Sequence, residues 1–282
     1  MSVPGREIPA AGIKDLSWLE GAFARFENSL NGGGSGAFHE LRRKSLAEFR
    51  ARGWPTSREE EWKYTNLAHV FRSPLTPIEP VGIDEERLAS MFVPGLEGPR
   101  LAFSNGVGIE SLCEGFEHSG LNVRSMAACG PELIGDVKEG LAGEVDGWVL
   151  GLRALSTAFS RDGVMIEVAP GVEMKHPVQI LFYSEGRLEN NLVCPRVVVA
   201  AGAGSRVSLV EIHRGCGRYI SLPVREIVVG KGARLRYVTL QYEDAGAYQL
   251  SSQQIRLEGH ALFEAFSFAL GGALIRNDLH VR

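Results

Sequence analysis

The chain lacks the short patterns that mark common classes of metal and nucleotide site. Its four cysteines, Cys113, Cys129, Cys194 and Cys216, are scattered, and none forms the Cys-x-x-Cys spacing of zinc and redox sites. Isolated thiols in a chain of this length predict a reducing compartment without a disulfide framework. The glycine-rich stretch "NGGGSG" (31–36) is not followed by Lys-Ser or Lys-Thr, which argues against a phosphate-binding P-loop.

Charge and hydropathy argue against two further classes of partner. The chain has 30 basic and 34 acidic residues and a net charge of -4, so the strongly basic footprint of a nucleic-acid binder is missing. No apolar run approaches the roughly 20 residues that cross a bilayer. The N-terminal stretch "MSVPGREIPAAGIKD" has no apolar signal-peptide core. We therefore expect a cytoplasmic protein that binds neither nucleic acid nor membrane.

The first half of the chain contains helical patterns. Apolar residues at helical spacing predict amphipathic helices over residues 13–30 and 38–53, and a further helix around 148–160. Gly53, followed by Pro55, is typical of a helix end. The residues predicted to face inward are Leu16, Leu19, Phe23, Phe26 and Leu30 in the first helix, and Phe38, Leu41, Leu46 and Phe49 in the second.

The stretch "SREEEWKYTNL" (57–67) combines a charged run with large aromatics. Ser57 and Glu60 have the spacing of a capping box at a helix N-terminus. The acidic residues would then lie in the first turn, where the helix dipole favours negative charge. We predict a short capped helix in which Trp62 and Leu67 pack against the preceding helices, with no catalytic role.

From about residue 161 the pattern changes to short alternating strands separated by glycine turns. Val207, Leu235 and Phe263 are equally spaced, and the turn glycines Gly171, Gly202, Gly230 and Gly259 recur at nearly the same interval. A fixed period of this length, about 28 residues, indicates a repeat architecture. A β-solenoid fits best, and a sandwich of antiparallel hairpins is the alternative, because "AGAGS" and "VGKGA" also suit hairpin turns.

Three ordered segments resemble the SufB/SufD family of iron–sulfur cluster assembly scaffold proteins. They are "WPTSREEEWKYTNL" (54–67), "ALSTAFSRDGVMIEVAPGVEMKHPVQILF" (154–182) and "LGGALIRNDLHV" (270–281). The resemblance spans nearly the whole chain. It favours the SufD branch, because His213 stands two residues after Glu211, where the SufB branch has a cysteine.

The resemblance implies a mainly β fold with an N-terminal α-helical region and a right-handed parallel β-helix (solenoid). We expect residues 1–152 to form the N-terminal helical and mixed α/β region, and residues 153–282 the β-helix core. The resemblance also implies a non-catalytic scaffold subunit that acts with a SufB-like paralogue and a SufC-like ATPase. On this interpretation the chain alone binds no cofactor, and the iron–sulfur cluster belongs to the complex.

Members of this family continue beyond the segment that ends here at Arg282. The continuation contains further coils and a C-terminal helical segment that docks the ATPase. We therefore expect the chain to be truncated at its C-terminus, without the ATPase dock, and to self-associate through residues 255–282. The family residues proposed to assemble the cluster at the SufB–SufD interface cannot be transferred to any position here.

One stretch offers a candidate metal site. Glu211 and His213 alternate onto one face of a predicted strand, and with nearby Cys216 they could form a carboxylate, imidazole and thiolate ligand set. The alternative is that His213 is an ordinary polar position and Cys216 a small apolar loop residue.

Other chemically capable residues have structural interpretations. Cys194 precedes Pro195 at a strand entrance and is predicted to pack in the core, and His176 beside Pro177 is predicted to be a turn residue. Asp278 and His280 share one strand face, where their nearest partners would come from coils after the chain end.

A second class of function is a β-helix carbohydrate-active enzyme. Such an enzyme needs acidic groups that converge on one groove, whereas the repeat strands carry mainly scattered arginines and no acidic ladder. The sequence therefore favours the scaffold.

Overall fold

The computed structural model describes residues 15–30, 36–55, 60–65, 67, 70–71, 73–80, 82–116, 120–129, 147–188 and 190–282. Within these residues the chain forms an N-terminal helical region that leads into a β-solenoid of about four turns. No helix in this part of the chain is long and apolar enough to cross a membrane.

The helical region contains α1 (Leu19–Asn28), α2 (Ala37–Arg52), α3 (Glu85–Ala89) and α4 (Gly147–Phe159). The inward residues predicted for α1 and α2 lie in or against the core. Helix α1 begins later than the predicted residue 13, since the Asp15 side chain accepts a hydrogen bond from the Ser17 backbone and forms a turn that competes with helix. Helix α4 closely matches the prediction of 148–160.

Among the described residues, the two sheets contain fifteen strands. They are β1 (Thr76–Pro77), β2 (Arg100–Ser104), β3 (Val107–Gly108), β4 (Leu121–Ser125), β5 (Val164–Val168), β6 (Val178–Gly186), β7 (Asn191–Val193), β8 (Arg196–Ala201), β9 (Arg206–Gly217), β10 (Ile220–Ser221), β11 (Val224–Val229), β12 (Arg234–Tyr242), β13 (Tyr248–Leu257), β14 (Leu262–Ala269) and β15 (Leu274–Val281).

Parallel pairing between successive turns confirms the solenoid and excludes the antiparallel sandwich. One sheet contains β6, β9, β12 and β14 in order, and the facing sheet contains β5, β8, β11, β13 and β15. Leu235 is in register with Val207 below and Phe263 above. The period predicted from these three residues is therefore the length of one solenoid turn.

Strands from the N-terminal region close the first turn. Strand β2 adds to β6 in parallel, and β4 adds to β5 in antiparallel orientation. Leu101, Phe103 and Leu121 pack into the interior cluster below Ile166 and Ile180. These strands cap the apolar end of the solenoid, as terminal units do in repeat proteins.

The turn glycines serve two purposes, and not all those predicted are equivalent. A positive φ angle occurs at Gly171, Gly204, Gly232 and His260, the last three at equal intervals of one solenoid turn. Gly202 and Gly230 have another role, because a Cβ there would meet the backbone of the preceding turn at 2.6 and 2.8 Å. Gly259 lies in a turn, as predicted, but one residue out of register with Gly230, and it has no atom within 4 Å of a Cβ position.

The described part of the "SREEEWKYTNL" segment contains one turn of 3-10 helix, Glu60–Trp62. Ser57, the predicted N-cap, lies outside the described residues. Trp62 is 1% exposed and packs in the core with Leu67, as predicted. The Arg276 guanidinium lies 4.1 Å from the centre of the Trp62 ring, so this segment is held against β15. Tyr64, in contrast, is 89% exposed.

Candidate functional site

Strand β9 carries the three candidate metal ligands, and its alternation separates them. Glu211 and His213 are buried in the solenoid interior. Cys216 lies on the opposite side of the sheet, in the outer apolar cluster that contains Val210 and Ile212. Because successive side chains of a strand point to opposite faces, the structure brings Glu211 and His213 together and keeps Cys216 apart from them.

The Glu211 carboxylate is held by side chains from the next turn. Arg225 Nε donates to Glu211 Oε2 at 2.7 Å, and Arg225 Nη2 donates to Oε1 at 2.6 Å. The Tyr237 hydroxyl also donates to Oε2. Arg225 lies in the facing sheet, so this fork of two hydrogen bonds crosses the interior and joins its two walls.

His213 completes this buried cluster. Its Nε2 atom lies against Glu211 Oε1 and 3.1 Å from Arg225 Nη2. The imidazole ring stacks on Phe182 of the turn below, with ring centres 5.5 Å apart and an interplanar angle of 23°. The Nε2 atom is therefore occupied by protein partners and is not free to bind a metal.

The electrostatics of the cluster are those of a buried ion pair. Burial alone would raise the pKa of Glu211, but the Arg225 guanidinium and His213 hold that pKa well below its usual range. Glu211 in turn raises the pKa of Arg225 against the opposing effect of burial. Burial and the Glu211 charge raise the pKa of Tyr237. The carboxylate is therefore ionised and the phenol neutral across the physiological range.

A second buried pair joins the corner between β9 and β10 to the corner between β12 and β13 in the next turn. The Tyr219 hydroxyl donates to Glu243 Oε2, and both residues are almost completely buried. Burial raises the pKa of Glu243, and burial together with Glu243 raises the pKa of Tyr219.

A third ionic group joins the helical region to the solenoid. Arg153 of α4 and Arg196 of β8 both donate to the buried Glu226 carboxylate of β11. Arg196 Nη1 also donates to Thr157 Oγ1 at 2.8 Å. These contacts hold α4 against the outer face of the sheet that contains β8 and β11. Burial would raise the pKa of Glu226, but the two arginines hold it below its usual range.

Three of the four cysteines lie where burial disfavours the thiolate. Burial raises the pKa of Cys113, Cys129 and Cys194, and a thiol must lose its proton before it can bind a metal. Cys194 is 3% exposed, as the packing prediction requires. Cys216 is half-buried, and its sulfur lies 3.2 Å from the Tyr183 hydroxyl. Burial and this contact raise the pKa of Tyr183 to about 12.

The remaining candidates also occupy structural positions. Asp278 accepts hydrogen bonds from Arg276 Nε at 3.0 and 3.1 Å, on its own strand. His176 lies 3.7 Å from the exposed Glu97 carboxylate, beside the turn that leads into β6. His280 is half-buried on β15. Within the described ranges, no three His, Cys, Asp or Glu side chains are grouped so that they could hold a metal ion.

Sequence reasoning missed the partners of Glu211. One signal was present in the repeat period, which aligns Tyr237 with Leu209 of the turn below. Leu209 lies two residues before Glu211 and faces the same interior, so the period could have placed Tyr237 near Glu211. The alternation of side chains along a strand could also have shown that Cys216 faces the side opposite to Glu211 and His213. Arg225 had no comparable signal, because its contact with Glu211 depends on the distance between facing sheets.

Two family models match the chain. The model described as SufBD protein N-terminal region matches residues 19–180, and the model described as SUF system FeS cluster assembly, SufBD core domain, matches residues 182–282. The junction at residue 181 falls within β6.

Several curated proteins are similar to the chain at low identity. Protein ABCI7, chloroplastic, of Arabidopsis thaliana is 24% identical over 91% of this chain and 55% of its own length. The iron–sulfur cluster assembly protein SufD of Escherichia coli is 24% identical over 80% of this chain and 51% of its own length. A SufBD family protein of Synechocystis is 21% identical over 80% of this chain and 52% of its own length. The chain thus spans about half the length of these relatives, and the two family matches together show that it belongs to the SufB/SufD family of iron–sulfur cluster assembly proteins.

Proposed function

We propose that the chain is a non-catalytic scaffold subunit in iron–sulfur cluster assembly, acting with a SufB-like paralogue and a SufC-like ATPase. The observation that carries this proposal is the pair of family matches, which run from residue 19 to residue 282 with a break of one residue. The name of the Escherichia coli relative, an iron–sulfur cluster assembly protein, supports the same process.

The chemistry of the interior supports a structural role. Glu211 and Glu226 are both buried and paired with arginine. A carboxylate held in this way is a poor general acid or base, since such a catalyst needs a pKa near the working pH and access to the substrate. These two residues therefore do not supply the convergent acidic pair of a glycan-cleaving β-helix.

The proposal places the cluster in the complex and assigns no cluster ligand to this chain alone. The raised thiol pKa values of Cys113, Cys129 and Cys194 support this assignment. We propose the cytoplasm as the compartment, although the name of the Arabidopsis relative places that protein in the chloroplast.

Co-purification tests the proposal. The tagged chain is co-expressed with the SufB-like and SufC-like proteins of the same genome, and the eluted complex is weighed by native mass spectrometry. We expect a stable complex that contains the SufB-like protein. Failure of both proteins to co-elute, or cleavage of a plant or microbial glycan by the purified chain, would contradict the proposal.

A further inference from the structure

The outer face of the sheet β6–β9–β12–β14 carries aligned apolar side chains. Leu181, Ile212, Leu240 and Phe268 occupy successive strands in register. Val210, Val238 and Phe266 form a parallel column beside them. The two columns make a continuous apolar surface that crosses the turns of the solenoid.

The chain itself covers the first part of this surface. Leu88 of α3 and Phe92, four residues later, pack against Leu181 and Ile212. Gln179 fixes the segment: its Oε1 accepts a hydrogen bond from Val93 N at 3.0 Å, and its Nε2 donates to Leu96 O at 2.8 Å. Residues 83–96 are thus an observed example of the kind of segment that fits these columns.

Among the described residues, no segment packs over the same columns on the next two strands. We call Val238, Leu240, Phe266 and Phe268 the outer strip. Phe266 is 44% exposed and Phe268 is 49% exposed, while Val238 and Leu240 are half-buried. Neighbouring apolar side chains left open on a surface mark an interaction site more often than isolated ones do.

Arginines border the outer strip at both ends. Arg206 and Arg234 are exposed neighbours in register on β9 and β12, and like charges at such positions repel each other. At the other end, Arg214 stacks on Tyr242 with its guanidinium 3.9 Å from the ring centre. Among the described residues, none of these three arginines forms an ion pair with a carboxylate, whereas Arg236 pairs with Glu264 at 3.0 Å.

We propose that the outer strip binds a segment of a partner protein that begins with a short helix and presents leucine or phenylalanine at i and i+4, with acidic residues before them. Residues 83–96 show this design: Leu88 lies in α3, Phe92 follows three residues after the helix ends, and Glu85 and Glu86 come first. The apolar residues would continue the covered columns, and the acidic residues would neutralise the unpaired arginines. This inference does not depend on the proposed function.

A second copy of the chain fits this surface less well, so the self-association that the sequence predicts through residues 255–282 would use the open edge of β14 and not the outer strip. Two outer strips packed face to face about a two-fold axis place Arg206, Arg214 and Arg234 of both copies along a single interface. Strands β12 and β14 carry one carboxylate, Glu264, and it already pairs with Arg236. It therefore adds little that could offset the positive charge of these arginines. Repulsion between like charges across an interface opposes such a dimer.

A labelled peptide tests the inference directly. The probe is a fluorescein-labelled peptide of residues 83–96, "IDEERLASMFVPGL", titrated with the whole chain and followed by fluorescence anisotropy. We expect saturable binding that weakens at least about tenfold in Phe268→Ser, because an aromatic anchor contributes strongly to such a contact. Leu188→Ser, which changes an exposed apolar residue in the β6–β7 loop, is the matched control and should bind as the parent does.

The contribution of the arginines is tested separately, with an exposed arginine whose substitution should not disturb folding. Arg234→Glu should weaken binding, and raising the salt concentration should weaken binding to the parent, because screening reduces the attraction between exposed charges. A peptide with both Glu85 and Glu86 changed to lysine should bind more weakly. The inference is overturned if the peptide does not bind, if Phe268→Ser and Leu188→Ser bind it equally, or if the parent forms a dimer that Phe268→Ser abolishes.

Discussion

A carboxylate without solvent contact keeps its charge only where cationic and hydrogen-bonding groups replace the water. Glu211 meets this requirement through Arg225, Tyr237 and His213. These side chains come from two turns and both walls of the solenoid. At the scale of single residues, the cluster fixes how successive turns stack, and it does so with chemistry that is closed to substrates.

Removal of the arginine should be far more costly than removal of an exposed one. Arg225→Met leaves Glu211 buried and unpaired, and we expect it to lower the free energy of unfolding by about 3–5 kcal/mol. The control is Arg236→Met, which breaks the exposed pair with Glu264 and should cost no more than about 1 kcal/mol. Urea denaturation followed by circular dichroism measures both. Equal effects would contradict the account of the cluster.

The same cluster predicts an acid limb in the stability profile. The folded-state pKa of Glu211 lies below its unfolded value of about 4.3, so its ionisation contributes stability that is present above that value and lost as the pH falls through the folded pKa. Unfolding measured from pH 7 to pH 3 should show a steep loss of stability below about pH 4. Glu211→Gln should be less stable at pH 7 and should lose less on acidification. An unchanged slope in the variant would assign the acid limb to other carboxylates.

At the scale of elements, close contact between successive turns restricts the residues that the turns can contain. A Cβ at Gly230 would lie 2.8 Å from Ala203 N and 2.9 Å from Ala201 O, so the β11–β12 turn lies directly against the backbone of the turn below. Gly259 is one residue out of register with Gly230, which aligns with Glu258, and the space beside Gly259 is open. Gly230 is therefore required by close packing, whereas Gly259 reflects only the general preference for glycine in turns.

This difference predicts opposite outcomes for the same substitution. We expect Gly230→Ala to lower the free energy of unfolding by about 1–3 kcal/mol, the usual cost of overpacking. Gly259→Ala should change it by less than about 0.5 kcal/mol, as surface substitutions usually do. Thermal melting of the two variants beside the parent decides the matter, and a neutral Gly230→Ala would contradict the close stacking.

Trp62 joins the short 3-10 helix to the core and to Arg276 of β15. We expect Trp62→Ala to cost about 3–5 kcal/mol, because a large buried ring leaves a cavity. Tyr64→Ala, two residues away and at an exposed position, is the control and should be nearly neutral. If Trp62→Ala melts like the parent but loses a binding partner, the ring is a binding residue.

The elements also show what could and could not be predicted from the sequence. The repeat period was visible because stacked turns place Val207, Leu235 and Phe263 in one interior column. The capping strand β4 was not visible, since its antiparallel pairing with β5 links segments that are distant in the sequence and have no shared period. The Glu211–Arg225 contact was also hidden, because it crosses between sheets and leaves no regular spacing.

At the scale of the whole molecule, the solenoid is closed at one end by β2 and β4 and braced along one side by α4. Its interior changes from apolar near the cap, around Ile166 and Ile180, to polar in later turns, where Gln241 and Ser251 lie in a hydrogen-bonded group with Asn277. These features provide a rigid frame. They are consistent with the scaffold role that we propose, in which the cluster belongs to the complex.

Iron binding tests this central claim most directly. The purified chain, and the same chain in complex with its SufB-like and SufC-like partners, are each incubated anaerobically with iron and sulfide, desalted, and analysed for iron and acid-labile sulfide. We predict that the chain alone retains neither in stoichiometric amounts, whereas the complex retains both. A cluster that stays on the chain alone and is lost when Cys216 is changed to serine would contradict the account.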